Sequence, residues 1–588
     1  MNKIIFLINV LCIFVIGCCL WFQILLPYSY IFTVIILAIF LTFSIIKNGV
    51  QSKIVVLQLL LVFFLLRNIF YISTKNLMPF GDAFWDYAVE KTFLDQGYIS
   101  TIQGIVRPTE AGGISQLTWY SGWPFLHTFG VSFSLMTGLD AIYLNLILSN
   151  ILALISFIFV YLFFEKLRVK LNLFKKVTIV ALLLYVIFPE AIFWQMQLVR
   201  QSFALALFTP IIYLLYVLSC EKFDYKYCLI LGILVLSLVV THHVTSFTLV
   251  LFLVLFSILN ILSKRIGKLE RLKWAYSTVS SKIFLFFGEL TFVFMILWWI
   301  RNSNTIIPTV SSRIILFIET LGLDKIYSSD LAPIYPSIIK PPWVPILLGF
   351  RDLILFVSAF IGFLILWRYK SKIPEKFFII YSILAFGFIL IINVVFSIEP
   401  LRIILFMAPF LAFLAALFFG RIQQMFRKAG RIIISVVLIG LIVSSFLGLW
   451  AHGFAPIHLY DPSINPVDIG ESTPDFMRVK SFFENNINIS NFNDIRADLI
   501  SRLVYLLDPE DFDKIKSLPI ENISRINKEG TLVCSFNDLN LYQYFGYIWS
   551  PIEISDAKII QQELKQNLEN NFHLIYNDGS TSIWTNSL

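Results

Sequence analysis

Long apolar runs separated by short polar loops fill the first 450 positions of the chain. Crossing about 30 Å of hydrocarbon takes roughly 17 to 25 residues of helix. Runs that approach or reach that length lie at 4–26, 28–46, 54–73, 140–164, 177–189, 202–219, 228–241, 244–263, 283–300, 344–367, 377–397, 401–420 and 432–450. The pattern predicts a polytopic all-α membrane protein with about 13 transmembrane helices. The runs at 177–189 and 228–241 are short for a crossing, which leaves tilt, continuation into the next run or a helical hairpin open. The first run has no small-residue cleavage site and is followed at once by another, so it reads as a retained anchor.

Beyond residue 450 the periodicity changes. Ser472-Thr473-Pro474-Asp475 opens a stretch with apolar Phe476, Val479, Phe482 and Phe483, the signature of a capped helix. Thr531 to Phe536 reads as a strand and Ala557 to Asn570 as a helix. Phe572 to Tyr576 and Ser580 to Thr585, joined through Asn577-Asp578-Gly579, read as a hairpin closed by an Asp-Gly turn. Two domains follow: a transmembrane domain over 1–450 and a small C-terminal α/β domain over 451–588.

Composition agrees, because 58% hydrophobic and 14% charged residues with a mean hydropathy of +0.81 exclude an ordinary soluble domain. Charge then sets the orientation, since short loops rich in Lys and Arg stay cytoplasmic. With the N-terminus inside, the basic loops all fall on one side: Lys47 and Lys53, then Lys166 to Lys176, Lys222 and Lys226, Lys264 to Lys273, Arg368 to Lys376, and Arg421 to Arg431. An odd number of crossings delivers the tail to the outer face. The tail holds 10 Lys+Arg against 19 Asp+Glu, net −9, and the remainder of the chain is net +17. Bases confined to short loops describe membrane topology and argue against nucleic acid as a partner. Six cysteines, five of them in or beside apolar runs, offer neither a disulfide framework nor a Cys-based zinc site.

This topology brings polar groups from separate stretches to the outer ends of helices: Asp82 and Asp86, Glu190, Trp194, Gln197 and Arg200, His242 and His243, Glu399 and Arg402. Their concentration on one face points to a single polar cavity. Ordinary roles stand beside the chemical ones. Asp86 could cap a helix over 86–96, Arg200 and Arg402 could pair with Glu190 and Glu399, and adjacent histidines on a helix diverge by roughly 100°, so one of the two at most faces a given ion. The chemical reading is that a carboxylate acts as general base on an acceptor while Arg grips a phosphate, bidentate and with a charge that does not titrate away. Trp85, Trp119, Tyr120, Trp123 and Trp194 suit either sugar stacking or an interfacial aromatic belt.

Through these residues the chain resembles the membrane-embedded C-fold (GT-C) glycosyltransferases. The likeness lies in Gly81-Asp82-Ala83-Phe84-Trp85-Asp86-Tyr87, in Trp119-Tyr120-Ser121-Gly122-Trp123-Pro124 leading to Thr137-Gly138, in the outer polar hairpins and in the outer C-terminal domain. The resemblance implies an inverting hexosyl- or pentosyltransferase that takes a sugar from a polyprenyl-phosphate-linked donor at the outer face. It implies Asp82 as base or metal ligand, with Asp86 second. Arg200, Arg402, Glu190, His242, His243, Trp85 and Trp123 would then bind substrate. The metal stays open, with Mn²⁺ or Mg²⁺ as candidates, and the acceptor is a lipid, glycan or protein. The tail lacks a Trp-Trp-Asp-Tyr-Gly motif, which speaks against transfer to an Asn sequon. Val199-Arg200-Gln201-Ser202-Phe203-Ala204 is also similar to the Arg-Gln pattern of O-antigen and exopolysaccharide polymerases, the first alternative. A transporter of lipid-linked substrates is the second. It is disfavoured by polar groups gathered at one face and by the lack of an internal repeat.

Overall fold

The computed structural model describes residues 2–22, 27–47, 52–74, 81–97, 122–196, 198–221, 223–266, 281–301, 343–368, 373–395, 400–447, 494–497, 515–517, 531–536, 573–577 and 581–585. Fifteen helices and five strands are built from these residues. The helices are α1 (Asn2–Phe22), α2 (Pro27–Lys47), α3 (Ser52–Thr74), α4 (Gly81–Gln96), α5 (Phe125–Thr137), α6 (Ala141–Lys170), α7 (Lys175–Val186), α8 (Pro189–Gln195), α9 (Arg200–Cys220), α10 (Tyr225–Val239), α11 (His243–Ile266), α12 (Ser281–Arg301), α13 (Trp343–Arg368), α14 (Pro374–Val395) and α15 (Pro400–Leu447).

Among the described residues, eight helices are long and apolar enough to cross a membrane, and a ninth crossing arises if α7 and α8 are one bent span. Two shorter apolar helices cover Ile4–Leu20 and Tyr225–Val239. The run at 401–420 and residues 432–447 of the run at 432–450 fall inside the single helical run α15, which breaks at Arg427, where φ is +43° and ψ −106°. A positive φ on a non-glycine residue interrupts the helix, so α15 has two arms. The break lies in the basic stretch where the hydropathy pattern puts a loop.

The chain divides into two compact units. The first comprises 1–69, 147–313 and 341–451, and the second 70–146, 314–340 and 452–588. The core of the first unit is aromatic. Phe256 stacks on Phe284 with ring centres 3.9 Å apart, Phe252 on Phe386 at 4.6 Å, and Phe208 meets Phe406 at 4.6 Å, joining α9, α11, α12, α14 and α15. Without a hydrophobic drive between helices in lipid, close packing of such rings and interhelical hydrogen bonds must hold the bundle. Asn68 of α3 and Asn150 of α6 supply the latter, with amide bonds of 2.7 and 2.9 Å running in both directions.

In the second unit, β1 (Asp494–Ala497), β2 (Ile515–Ser517), β3 (Thr531–Phe536), β4 (His573–Asn577) and β5 (Thr581–Thr585) form one sheet in the order β2-β1-β3-β5-β4. β1 pairs in parallel with β2 and β3, and β5 is antiparallel to both β3 and β4. The strand expected at 531–536 is present, and the two strands of the expected hairpin pair antiparallel over 573–577 and 581–585, with the Asp-Gly turn outside the described residues. The helices expected at 472–483 and 557–570 lie outside the described residues.

Candidate functional site

Three helices of the first unit begin on site residues. α9 starts at Arg200, and the preceding Val199 is extended, with φ −137° and ψ 161°. Ser202 Oγ accepts the Val199 N–H at 3.0 Å and donates to the Val199 carbonyl at 2.7 Å. The Phe203 N–H takes that same carbonyl at 3.1 Å, as the first intrahelical bond. The N–H groups of Arg200, Gln201 and Ser202 therefore have no acceptor within the helix, the usual condition of a first turn, and that end carries positive partial charge. α11 starts at His243, and α15 starts at Pro400 with Arg402 in its first turn.

These starts lie together. The His242 imidazole is 3% exposed. Burial first, then His243, Arg402 and Arg200, hold it well below the ordinary histidine range, so the ring is neutral. Its Nδ1 accepts the Thr245 N–H at 3.3 Å and lies 2.8 Å from Thr245 Oγ1. This pattern assigns the ring hydrogen to Nε2. The two histidine rings sit 5.1 Å apart, tilted by 40°. Arg402 Cζ stands 5.0 Å from the centre of the Trp194 ring, a cation–π contact that orients the guanidinium. Two guanidiniums, a neutral N–H donor and three helix N-termini make an arrangement suited to a tetrahedral oxyanion such as phosphate.

Behind it lies a helix break. α7 ends at Val186 and α8 leaves at 58° after Pro189, which cannot donate to the ladder. Arg67, 2% exposed in α3, donates Nη1 to the Val186 carbonyl at 2.8 Å and Nε to Gln195 Oε1 at 2.9 Å. Gln195 in turn donates to the Tyr185 hydroxyl at 3.2 Å. The break is thus satisfied by protein, as backbone at membrane depth requires. Glu190 follows the break in a small cavity lined also by Phe188, Pro189, Asp352, Leu355 and Phe356. Its charged neighbours are Asp352 and Arg351, and Arg351 Nε is 2.8 Å from Asp352 Oδ1.

The second unit holds a separate group. Asp86 and Glu90 of α4 are 2% and 1% exposed, and His127 of α5 is fully buried. His127 Nε2 lies 3.5 Å from Asp86 Oδ1. Burial, then the neighbouring Asp86, pushes the Glu90 carboxyl well above its usual range. The Tyr87 hydroxyl reaches Asp140 Oδ1 at 3.4 Å.

Of the residues singled out in the sequence, Arg200, Arg402, His242, His243 and Trp194 come together, Glu190 joins Asp352 and Arg351, and Asp86 belongs with Glu90 and His127. Trp123 is fully buried. Asp82 is the second residue of α4, and the side chains of Asp82 and Trp85 lie outside the described residues, as do Gln197 and Glu399. His127, Glu90, Arg351 and Asp352 were not singled out. The spacing of Asp86 and Glu90, one helical turn, was the available signal for Glu90. Among the described residues, no three of His, Cys, Asp or Glu are grouped to hold a metal ion.

No family model and no curated protein matches this chain. Solved structures are similar, two of them as follows. One is the Archaeoglobus fulgidus oligosaccharyltransferase tethered through a disulfide bond to an acceptor peptide containing the NVT sequon: TM-score 0.47, 13% identity, covering 92% of this chain and 74% of that one. The other is ArnT from Cupriavidus metallidurans bound to undecaprenyl phosphate: TM-score 0.49, 12% identity, covering 91% of this chain and 98% of that one.

Proposed function

We propose that this protein is a multi-pass membrane glycosyltransferase that moves a sugar from a polyprenyl-phosphate-linked donor to an acceptor at the outer face. One observation carries the reading: Arg200, Arg402 and neutral His242 gather at three helix starts, a donor set chosen for an anion at headgroup depth. In this reading the arginines hold the donor phosphate and His242 donates from Nε2. Asp82, with Asp86 one turn further along α4, takes the acceptor's proton as the new bond forms at the anomeric carbon. A carboxylate base with direct displacement inverts the sugar. The N-terminus is cytoplasmic, thirteen crossings carry the chain to the outer face, and the tail with its five-stranded sheet is an outer α/β domain.

The test incubates purified protein in lipid nanodiscs with a panel of polyprenyl-phosphate sugars, with and without Mn²⁺ or Mg²⁺. Wild type transfers sugar, and Asp82→Asn does not. Unchanged turnover in Asp82→Asn with loss in Arg200→Ala alone supports instead a polysaccharide polymerase that uses Arg as its main handle. Export of an intact lipid-linked sugar without any transfer supports a transporter.

A further inference from the structure

The acidic face of α4 meets α5 in register. Positions 82, 86 and 90 are spaced by four and so share one face of the helix. On α5, His127 and Gly130 are spaced by three and share the opposing face. Two contacts stack one turn apart: His127 Nε2 faces Asp86 Oδ1 at 3.5 Å, and Gly130 faces the Glu90 carboxyl. A Cβ at position 130 would lie 2.8 Å from Glu90 Cδ and closer still to Oε1. Only a residue without a side chain leaves room there for a carboxyl group. Glu90 Oε1 is buried with no hydrogen-bond partner, a polar atom held in the interface without a structural bond to account for it.

Resting on the transfer reading above, we propose that His127 is a positioning residue for Asp86, holding it as an oriented anion, the second carboxylate of the reaction. The acceptor's O–H or N–H bond breaks as its heavy atom bonds to the anomeric carbon, and the proton passes to Asp82. The bond from the anomeric carbon to the lipid phosphate oxygen breaks, and the phosphate leaves with the electron pair. Asp86, held as an anion one helical turn further along α4, raises the proton affinity of the Asp82 base, and the proton is released to water when the products leave. An imidazole facing a carboxylate stabilises its charge and fixes its orientation, the division of labour of carboxylate–imidazole pairs in general. Burial and the neighbouring Asp86 both work against a second negative charge on Glu90. Among the described residues, Glu90 of α4 is a further titratable group beside Asp86, and Asp140, in the turn before α6, is reached by the adjacent Tyr87.

The experiment compares full-length wild type, His127→Ala and His127→Gln in nanodiscs. His127→Ala lowers kcat about 10- to 100-fold with the KM for donor unchanged, and displaces the acidic limb of the pH–rate profile. His127→Gln, which retains an N–H donor, recovers much of kcat. An unaltered kcat and pH profile in His127→Ala, with intact folding by thermal unfolding, overturns the proposal. A second measurement needs no turnover: ¹⁵N-histidine NMR of the unliganded protein, with the His127 signal assigned by its loss in His127→Gln. Asp86→Asn lowers the His127 titration midpoint by about one pH unit or more. No change in that midpoint overturns the pairing even if wild type proves inactive on every donor, an outcome that would sink the transferase reading alone.

Discussion

Arg67 Nη1 donates to the Val186 carbonyl at 2.8 Å, so a side chain from the middle of α3 closes the end of a helix 119 positions later in the chain. The same guanidinium bonds Gln195 and rests 3.7 Å over the Phe63 ring. Arg67→Ala strands one buried carbonyl and one amide oxygen, and the expected loss is about 2 to 5 kcal/mol of stability. Arg67→Lys, a point charge without the fork, serves one acceptor and recovers less than half of that. Unfolding in mixed detergent micelles measures both. A change within about 0.5 kcal/mol for Arg67→Ala would show that the break is held by other means.

Gly130→Ala sets a methyl group against the Glu90 carboxyl. Glu90 is anchored in a buried interface, so relief needs a rotamer change or a helix shift, at about 1 to 3 kcal/mol. The pair tests itself: in Gly130→Ala/Glu90→Ala the methyl occupies the vacated space, and the double variant is more stable than the sum of the two single changes. Additive effects by thermal unfolding would place the clash elsewhere.

What could be read in the sequence follows from how local each signal is. Thr531 to Phe536 and the hairpin over 573–585 were legible because β-rich residues bounded by an Asp-Gly turn specify themselves over ten or fifteen positions. The turn at Arg427 was legible from its basic flanks, although the helical run itself continues on both sides of it. The grouping of Arg200, Arg402 and the histidines followed from the predicted topology, since each lies at the start of a helix. His127 was not legible. It lies 41 positions beyond Asp86, and the phase at which α5 meets α4 is a matter of tertiary packing that no period in either segment encodes. Glu190 shows the same limit: it sits beside Arg351 and Asp352, from a helix more than 150 positions away. Charge complementarity within the predicted group names several possible partners for it and selects none.

His242 and Glu90 give stability opposite dependences on pH. His242 is held neutral in the fold, whereas in the unfolded chain it takes a proton below about pH 6.5. Unfolding then binds a proton, so stability falls as pH drops from about 6.5 toward the depressed native value, by up to about 1.4 kcal/mol per pH unit. The Glu90 carboxyl is held well above its usual range in the fold, whereas in the unfolded chain it ionises above about pH 4.3. Its contribution is complete below that point and is lost as pH rises toward the elevated native value. His242→Gln flattens the acid side of the stability profile, and Glu90→Gln lifts the neutral side. Denaturant titrations from pH 5 to 8 read both, and parallel profiles for wild type and variants would contradict the assigned charge states.

If Arg200 and Arg402 hold one phosphate, their removal must act on the donor rather than on the acceptor. Each charge-assisted contact is expected to be worth about 2 to 4 kcal/mol at a buried site, or about 30- to 1,000-fold in kcat/KM for donor. Arg200→Ala/Arg402→Ala loses less than the product of the two, because after the first loss the phosphate is already poorly held. Arg-to-Lys changes keep the charge but not the bidentate grip, and fall between. Polyprenyl phosphate without a sugar separates binding from chemistry. As a competitor it should weaken by the same factor as the donor in each variant, since the group the arginines recognise is common to both. A variant that loses turnover while binding the bare lipid phosphate as tightly as wild type would move that arginine from the phosphate to the sugar or the acceptor, and with it the centre of the proposed site.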